Sequence, residues 1–178
     1  MQELTNILRR ATRALPAEYF QLAIYGGPPV YRERVYCYEL YHQMRRRWPR
    51  GCPFWLNGEI DKQGHQLLAQ LGAAAFKPDF LVHRPGDMAG NFAIMEVKPL
   101  GADYDEIHND LYKLCRFVSR VGYQRAIYLF YGYGDYGGTM DRVREVYARL
   151  DDPRPIELWV HAAPGRPAQQ FDDVCGKT

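Results

Sequence analysis

Lysine is scarce in this chain, five residues against eighteen arginines, so cationic surface must come mainly from guanidinium forks, which suit phosphate contacts. Cysteine is scarcer still. Cys37, Cys52, Cys115 and Cys175 lie far apart, without a CxxC pair or a histidine at zinc spacing, which argues against a zinc site or disulfide framework and for reduced thiols. No apolar run approaches the roughly 18 residues of a membrane span, and the opening MQELTNILRRATRALP has no hydrophobic secretory core. The expectation is a soluble, cytoplasmic protein with no membrane partner. Internal repeats and low-complexity tracts are missing. The low hydrophobicity and high net charge of disordered chains are missing too: 47% of residues are hydrophobic and the net charge is +2. The glycines at 131–138 have no Lys-Ser/Thr after them, so they read as a flexible turn rather than a phosphate loop.

What remains is 178 residues (20.7 kDa), enough for one domain with a sizeable core. The expected organisation of 1–178 is a helical extension at 1–30, a core at 31–131, a helix and strand at 132–164 and a frayed tail at 165–178. Leu4, Ile7, Leu8, Ala11 and Leu15 have helical spacing up to Pro16. A second short helix is expected at 17–25, stopped by Gly26-Gly27-Pro28-Pro29, and a third at 30–47. Strands follow at 54–59, 80–83 and 92–98, then a helix at 103–122, a strand at 126–131, a helix at 140–150 and a strand at 156–160. This order predicts an α/β (α+β) fold, a mixed sheet flanked by helices. Charge is uneven: residues 1–50 hold nine Lys/Arg against four Asp/Glu, or +5, and 51–178 hold fourteen against seventeen, or −3. Arg45, Arg46, Arg47 and Arg50 cluster, either as phosphate contacts or as the solvated C-terminal end of a helix whose dipole favours cations.

One grouping carries chemistry. Lys77-Pro78-Asp79 opens one strand, and Ile94-Met95-Glu96-Val97-Lys98 forms the next, with Glu96 seventeen positions after Asp79. Alternation puts Glu96 and Lys98 on one face and Met95 and Val97 on the other, toward a core. Antiparallel pairing of the two strands could set Asp79 beside Glu96. Charged groups in an otherwise apolar strand are costly unless paired, hydrated or metal-bound. Two close carboxylates call for a cation, and hard oxygen ligands favour Mg²⁺ or Mn²⁺. A lysine beside such a metal can stabilise developing negative charge or position water. These parts suit phosphodiester hydrolysis. The plainer reading is a half-exposed Glu96–Lys98 ion pair.

Pro78-Asp79 followed by Glu96-Val97-Lys98 resembles the PD-(D/E)xK nuclease superfamily, which includes restriction endonucleases and repair nucleases. Glu39, on the helix before the first core strand, resembles the extra acidic residue of many members, and 109–114 resembles the helix that follows their ExK strand. The likeness covers about 33–131. It implies a restriction-endonuclease-like core, a four-stranded or larger mixed sheet with helices on both sides. It also implies a metal-dependent nuclease, acting on DNA in the first instance. In that scheme Asp79, Glu96 and the main-chain carbonyl of Val97 bind Mg²⁺ or Mn²⁺. Lys98 orients or activates the attacking water, and Glu39 acts through water or a second metal. Arg45, Arg46, Arg47 and Lys113 are the candidate nucleic-acid contacts, with a solvated helix face as the alternative for Lys113. In so small a chain, specificity would come from loops, a homodimer or a partner subunit. The competing function is a non-catalytic nucleic-acid-binding or protein-interaction module on the same fold.

Several other residues invite two readings. His83 suits a hydrogen-bonded structural role better than a substrate contact, and His42 could sit behind the metal site. Glu59, Asp61 and His65 form a polar hairpin or a substrate loop. The fourteen tyrosines, among them Tyr31, Tyr36, Tyr38 and Tyr41 on one helix, favour packing over base stacking.

Overall fold

A computed structural model describes residues 2–59 and 76–174. Among these residues, six strands form one mixed sheet in chain order. β3 (Trp55–Gly58), β4 (Phe80–His83) and β5 (Asn91–Pro99) make an antiparallel meander. β6 (Arg125–Tyr131) and β7 (Ile156–His161) then pair parallel to β5 and to each other, and β8 (Gln169–Val174) closes the edge antiparallel. Parallel neighbours need crossovers. α4 (Tyr104–Arg116) connects β5 to β6, and α5 (Tyr136–Tyr147) connects β6 to β7.

The sheet is covered on both sides, which explains the near-continuous apolar runs of β5 and β6. On one face, Ile94, Tyr128, Phe130 and Leu158 pack with Ile107, Leu111 and Leu114 of α4 and with Met140, Val143 and Val146 of α5. On the other, Met95, Val97, Ile127, Leu129 and Trp159 pack against α1 (Gln2–Arg13) and α3 (Glu33–Arg46). The helical stripe read in the first fifteen residues is the buried face of this N-terminal helix: Leu4, Leu8 and Ala11 are inaccessible. Most of the buried tyrosines do core work. Tyr36 and Tyr131 stack at 3.9 Å between ring centres, and the Tyr36 hydroxyl lies 2.8 Å from His161 Nδ1.

Three expectations need correction. The second helix stops at Phe20: α2 spans only Ala17–Phe20, and β1 (Leu22–Ile24) and β2 (Gly27–Val30) form a separate hairpin. Gly26 turns it at a φ of +73°, and prolines are tolerated in so short an edge pairing. The tail is not frayed through 169–174. Its polar residues hide a strand because main-chain bonding to β7, rather than an apolar alternation, makes it. The buried Ala168 N–H, bonded to Thr12 Oγ1 at 2.8 Å, pins its start. Finally, Gly137 and Gly138 are not turn residues but the first turn of α5, whose start the Asp135 carboxylate caps through their N–H groups. Among the described residues, no helix is long and apolar enough to cross a membrane.

Candidate active site

The alternation of β5 decides which residues meet. With Met95 and Val97 in the α3-side core, Glu96 and Lys98 point to the α4 side. The β4–β5 register puts Phe80 opposite Met95, so Asp79 falls next to Glu96. Asp79 Oδ2 accepts the Val97 N–H at 2.7 Å, which ties the end of β4 to the middle of the motif. The two carboxylates and the lysine that the sequence singled out thus converge, on a cavity of about 420 Å³.

Two residues not singled out complete it. Asp110 sits on the buried stripe of α4 with Ile107, Leu111 and Leu114. Its Oδ2 lies 3.3 Å from Lys98 Nζ and accepts the Tyr128 hydroxyl at 3.0 Å, while Oδ1 lies 3.3 Å from Lys113 Nζ. Glu33, in the first turn of α3, reaches Lys98 Nζ at 2.8 Å. Lys113 Nζ also donates to Glu96 Oε2 at 2.7 Å. The chain of charges therefore runs Glu33, Lys98, Asp110, Lys113, Glu96, with Asp79 alongside. Arg34, Glu59 and Lys77 complete the lining, and Glu59 holds a left-handed backbone at φ +38° that non-glycine residues rarely adopt.

Electrostatics mark the carboxylate pair as unfinished. Glu96 is only 2% exposed, and its Oε1 has no hydrogen-bond partner among the described residues, a costly state for a buried acceptor. Burial, with the neighbouring Asp79 charge, holds the Glu96 carboxyl well above its ordinary range against the pull of Lys113. Loss of water pushes Asp79 up to about 7; the Val97 N–H opposes this and the Glu33 charge adds to it. For Lys98, burial works against the cation, but Asp110 and Glu33 outweigh it and raise the ammonium above its usual range. Lys113 is raised in the same way by Glu96 and Asp110.

The other predicted residues lie elsewhere. Glu39 does not line this cavity: its Oε1 accepts from Gln43 Nε2 at 2.6 Å. It sits six residues after Glu33, about 9 Å further along α3 and about 240° around it. Arg45 and Arg46 are exposed at the far end of α3, about 20 Å from Glu33 by helical rise, and Arg47 folds back on the Gln43 carbonyl and side chain. Lys113 instead turns into the site rather than lying on a solvated face. His83 Nε2 bonds Asn57 Oδ1 at 3.0 Å, and His42 is exposed. Asp61 and His65 lie outside the described residues.

No family model, curated protein or solved structure matches this chain. The functional reading therefore rests on the chemistry of the cavity itself. Among the described residues, no three His, Cys, Asp or Glu side chains form a set that could hold a metal alone. The donor set is smaller: two adjoining carboxylates, one buried oxygen of which has no partner among the described residues, with the Val97 main chain between them. Hard oxygens that repel one another fit Mg²⁺ or Mn²⁺, with the remaining positions filled by water or substrate.

Proposed function

We propose that the chain is a metal-dependent nuclease that hydrolyses phosphodiester bonds in nucleic acid, DNA in the first instance. The observation that carries this reading is Glu96, which lines one cavity with Asp79 and Lys98 and whose buried Oε1 has no hydrogen-bond partner among the described residues. The fold gives support: α3, the β3–β5 meander, α4 and parallel β6 put one helix on each side of a mixed sheet, as the resemblance to PD-(D/E)xK nucleases implies. Asp79, Glu96 and the Val97 carbonyl would hold Mg²⁺ or Mn²⁺, which when bound supplies Lewis acidity and a more easily deprotonated water.

The protein groups divide the remaining work. Lys98 stays cationic near neutral pH because Glu33 and Asp110 keep it so. Its role is to orient the water and to offset charge building on the phosphoryl oxygens, rather than to accept a proton. Asp110, fixed by Tyr128, holds both lysines in place. Lys113 neutralises Glu96, and Arg34 and Lys77 at the rim are the cations best placed for flanking phosphates.

The test is cleavage of linear, circular, single-stranded and branched DNA, and of RNA, by wild type and Lys98→Ala in Mg²⁺, Mn²⁺ or EDTA. The expected result is metal-dependent cleavage that falls about 10²–10³-fold in the variant. Full cleavage by Lys98→Ala would sink the mechanism. One observation favours a second reading, a non-catalytic binding module: both lysines already have carboxylate partners. In that case nucleic acid binds without metal, and Asp79→Ala leaves the affinity unchanged.

A further inference from the structure

A second cavity of about 330 Å³ adjoins the charged one and shares Asp79 and Glu59 with it. We propose that it is a base-binding subsite, and that the substrate is nucleic acid single-stranded at the cut, with one unpaired base held against Tyr38 and Tyr41. This rests on the phosphodiester reading of the neighbouring cavity.

The two cavities differ in chemistry. Among the described residues, nine ionisable side chains line the first, whereas Tyr38, Tyr41 and Phe80 form an aromatic wall in the second. A ligand that spans both must carry a charged linkage at one end and a flat apolar group at the other. A nucleotide has that construction. The volume lies in the range of small-molecule sites.

Tyr38 is the exposed part of this wall. Tyr36 and Cys37, its neighbours in sequence, turn into the core, but Tyr38 keeps 61% of its surface exposed beside the cavity. Tyr41 and Phe80 have nearly parallel rings, 8° apart. On α3, Arg34, Tyr38 and Tyr41 stand at i, i+4 and i+7, one stripe of the helix. It runs from the rim of the charged cavity into the aromatic one, a path for a strand whose phosphate meets the guanidinium and whose base meets the rings.

Gly58 on β3 keeps the space empty. Its backbone lies outside the left-handed region, so the conformation does not require glycine. A Cβ there would meet the Asp79 carbonyl oxygen at 3.4 Å, the Tyr41 ring at 3.7 Å and the Phe80 ring at 4.0 Å, at the lining of the cavity. A base inside a duplex shows only its edges, so an aromatic wall beside the cut is reached only by an unpaired or extruded base.

The test measures binding by the full chain in EDTA. The probes are a labelled single-stranded DNA oligonucleotide carrying 2-aminopurine, the same sequence as RNA, and the blunt DNA duplex. Single strands are expected to bind at least tenfold more tightly than the duplex, with 2-aminopurine quenching on binding. Tyr38→Ala, at an exposed position that leaves the core intact, and Gly58→Leu, which fills the cavity, should each weaken single-strand binding by roughly 5- to 150-fold. Duplex affinity should stay the same. Loss with DNA, RNA or both supports the subsite and identifies the sugar it accepts. Equal or tighter duplex binding, or wild-type single-strand affinity in both variants, overturns it. Metal-dependent cleavage of duplex alone would overturn the subsite and leave the nuclease standing. Ring-dependent binding with no cleavage of any probe would do the reverse.

Discussion

Asp79 makes the protein sensitive to pH in a direction opposite to that of a salt-bridged acid. Its carboxyl titrates at about 7 in the fold and at the ordinary 3.8 in the unfolded chain. Between those values the folded state binds the extra proton, so stability falls as pH rises. Asp79→Asn removes the titration yet still accepts the Val97 N–H. In EDTA the variant is expected to melt a few degrees above wild type at pH 8, at about 2–4 °C per kcal/mol, and level with it near pH 4. A gap that widens toward acid would contradict this. Mg²⁺ should close the gap at pH 8 by raising wild type alone. Asp79, Glu96 and Lys98 were legible in the sequence because a period of two and one strand pairing suffice to bring them together. Glu33 was not, and Glu39 stood in its place. The buried face of α3 is Tyr36, Cys37, Leu40, Gln43 and Met44, so the stripe through Glu39 lies off it, and only the first turn of α3 overhangs the site. Asp110 did leave a signal, an acid interrupting the apolar stripe of α4.

At the scale of elements, α4 carries both Asp110 and Lys113, so its anchoring matters to the site. Its N-terminus has a full capping box: the Asp103 carboxylate accepts from the Glu106 N–H at 2.9 Å, and Glu106 accepts from the Asp103 N–H at 3.0 Å. Asp103→Ala should cost about 1 kcal/mol and lower the melting temperature by about 2–4 °C, while Lys98-dependent cleavage persists. A melting curve identical to wild type would show that packing alone holds the helix. Elements with strong apolar periods were readable to within a few residues, β4 at its full extent. Those made by main-chain bonding or by caps were missed: the β1–β2 hairpin, β8, and the glycine-rich first turn of α5.

Across the whole molecule, β8 matters because it covers β7, whose partner on the other side is the interior strand β6. Truncation before Gln169 would leave the largely buried β7 with an open row of main-chain donors and acceptors, a template for pairing between chains. Size-exclusion chromatography of that truncation should show dimers or larger aggregates; a clean monomer would mean that β8 is dispensable. The ring of charges has a consequence for how the protein comes into being. Asp79 and Glu96 meet through a local hairpin, a contact that closes early at little entropic cost. Lys98 finds Asp110, and Lys113 finds Glu96, only after α4 has docked, and Tyr128 fixes Asp110 only once β6 has inserted beside β5. During synthesis, therefore, the charged ring cannot be complete until most of the chain has left the ribosome, and a nascent chain carries the motif long before it carries the site.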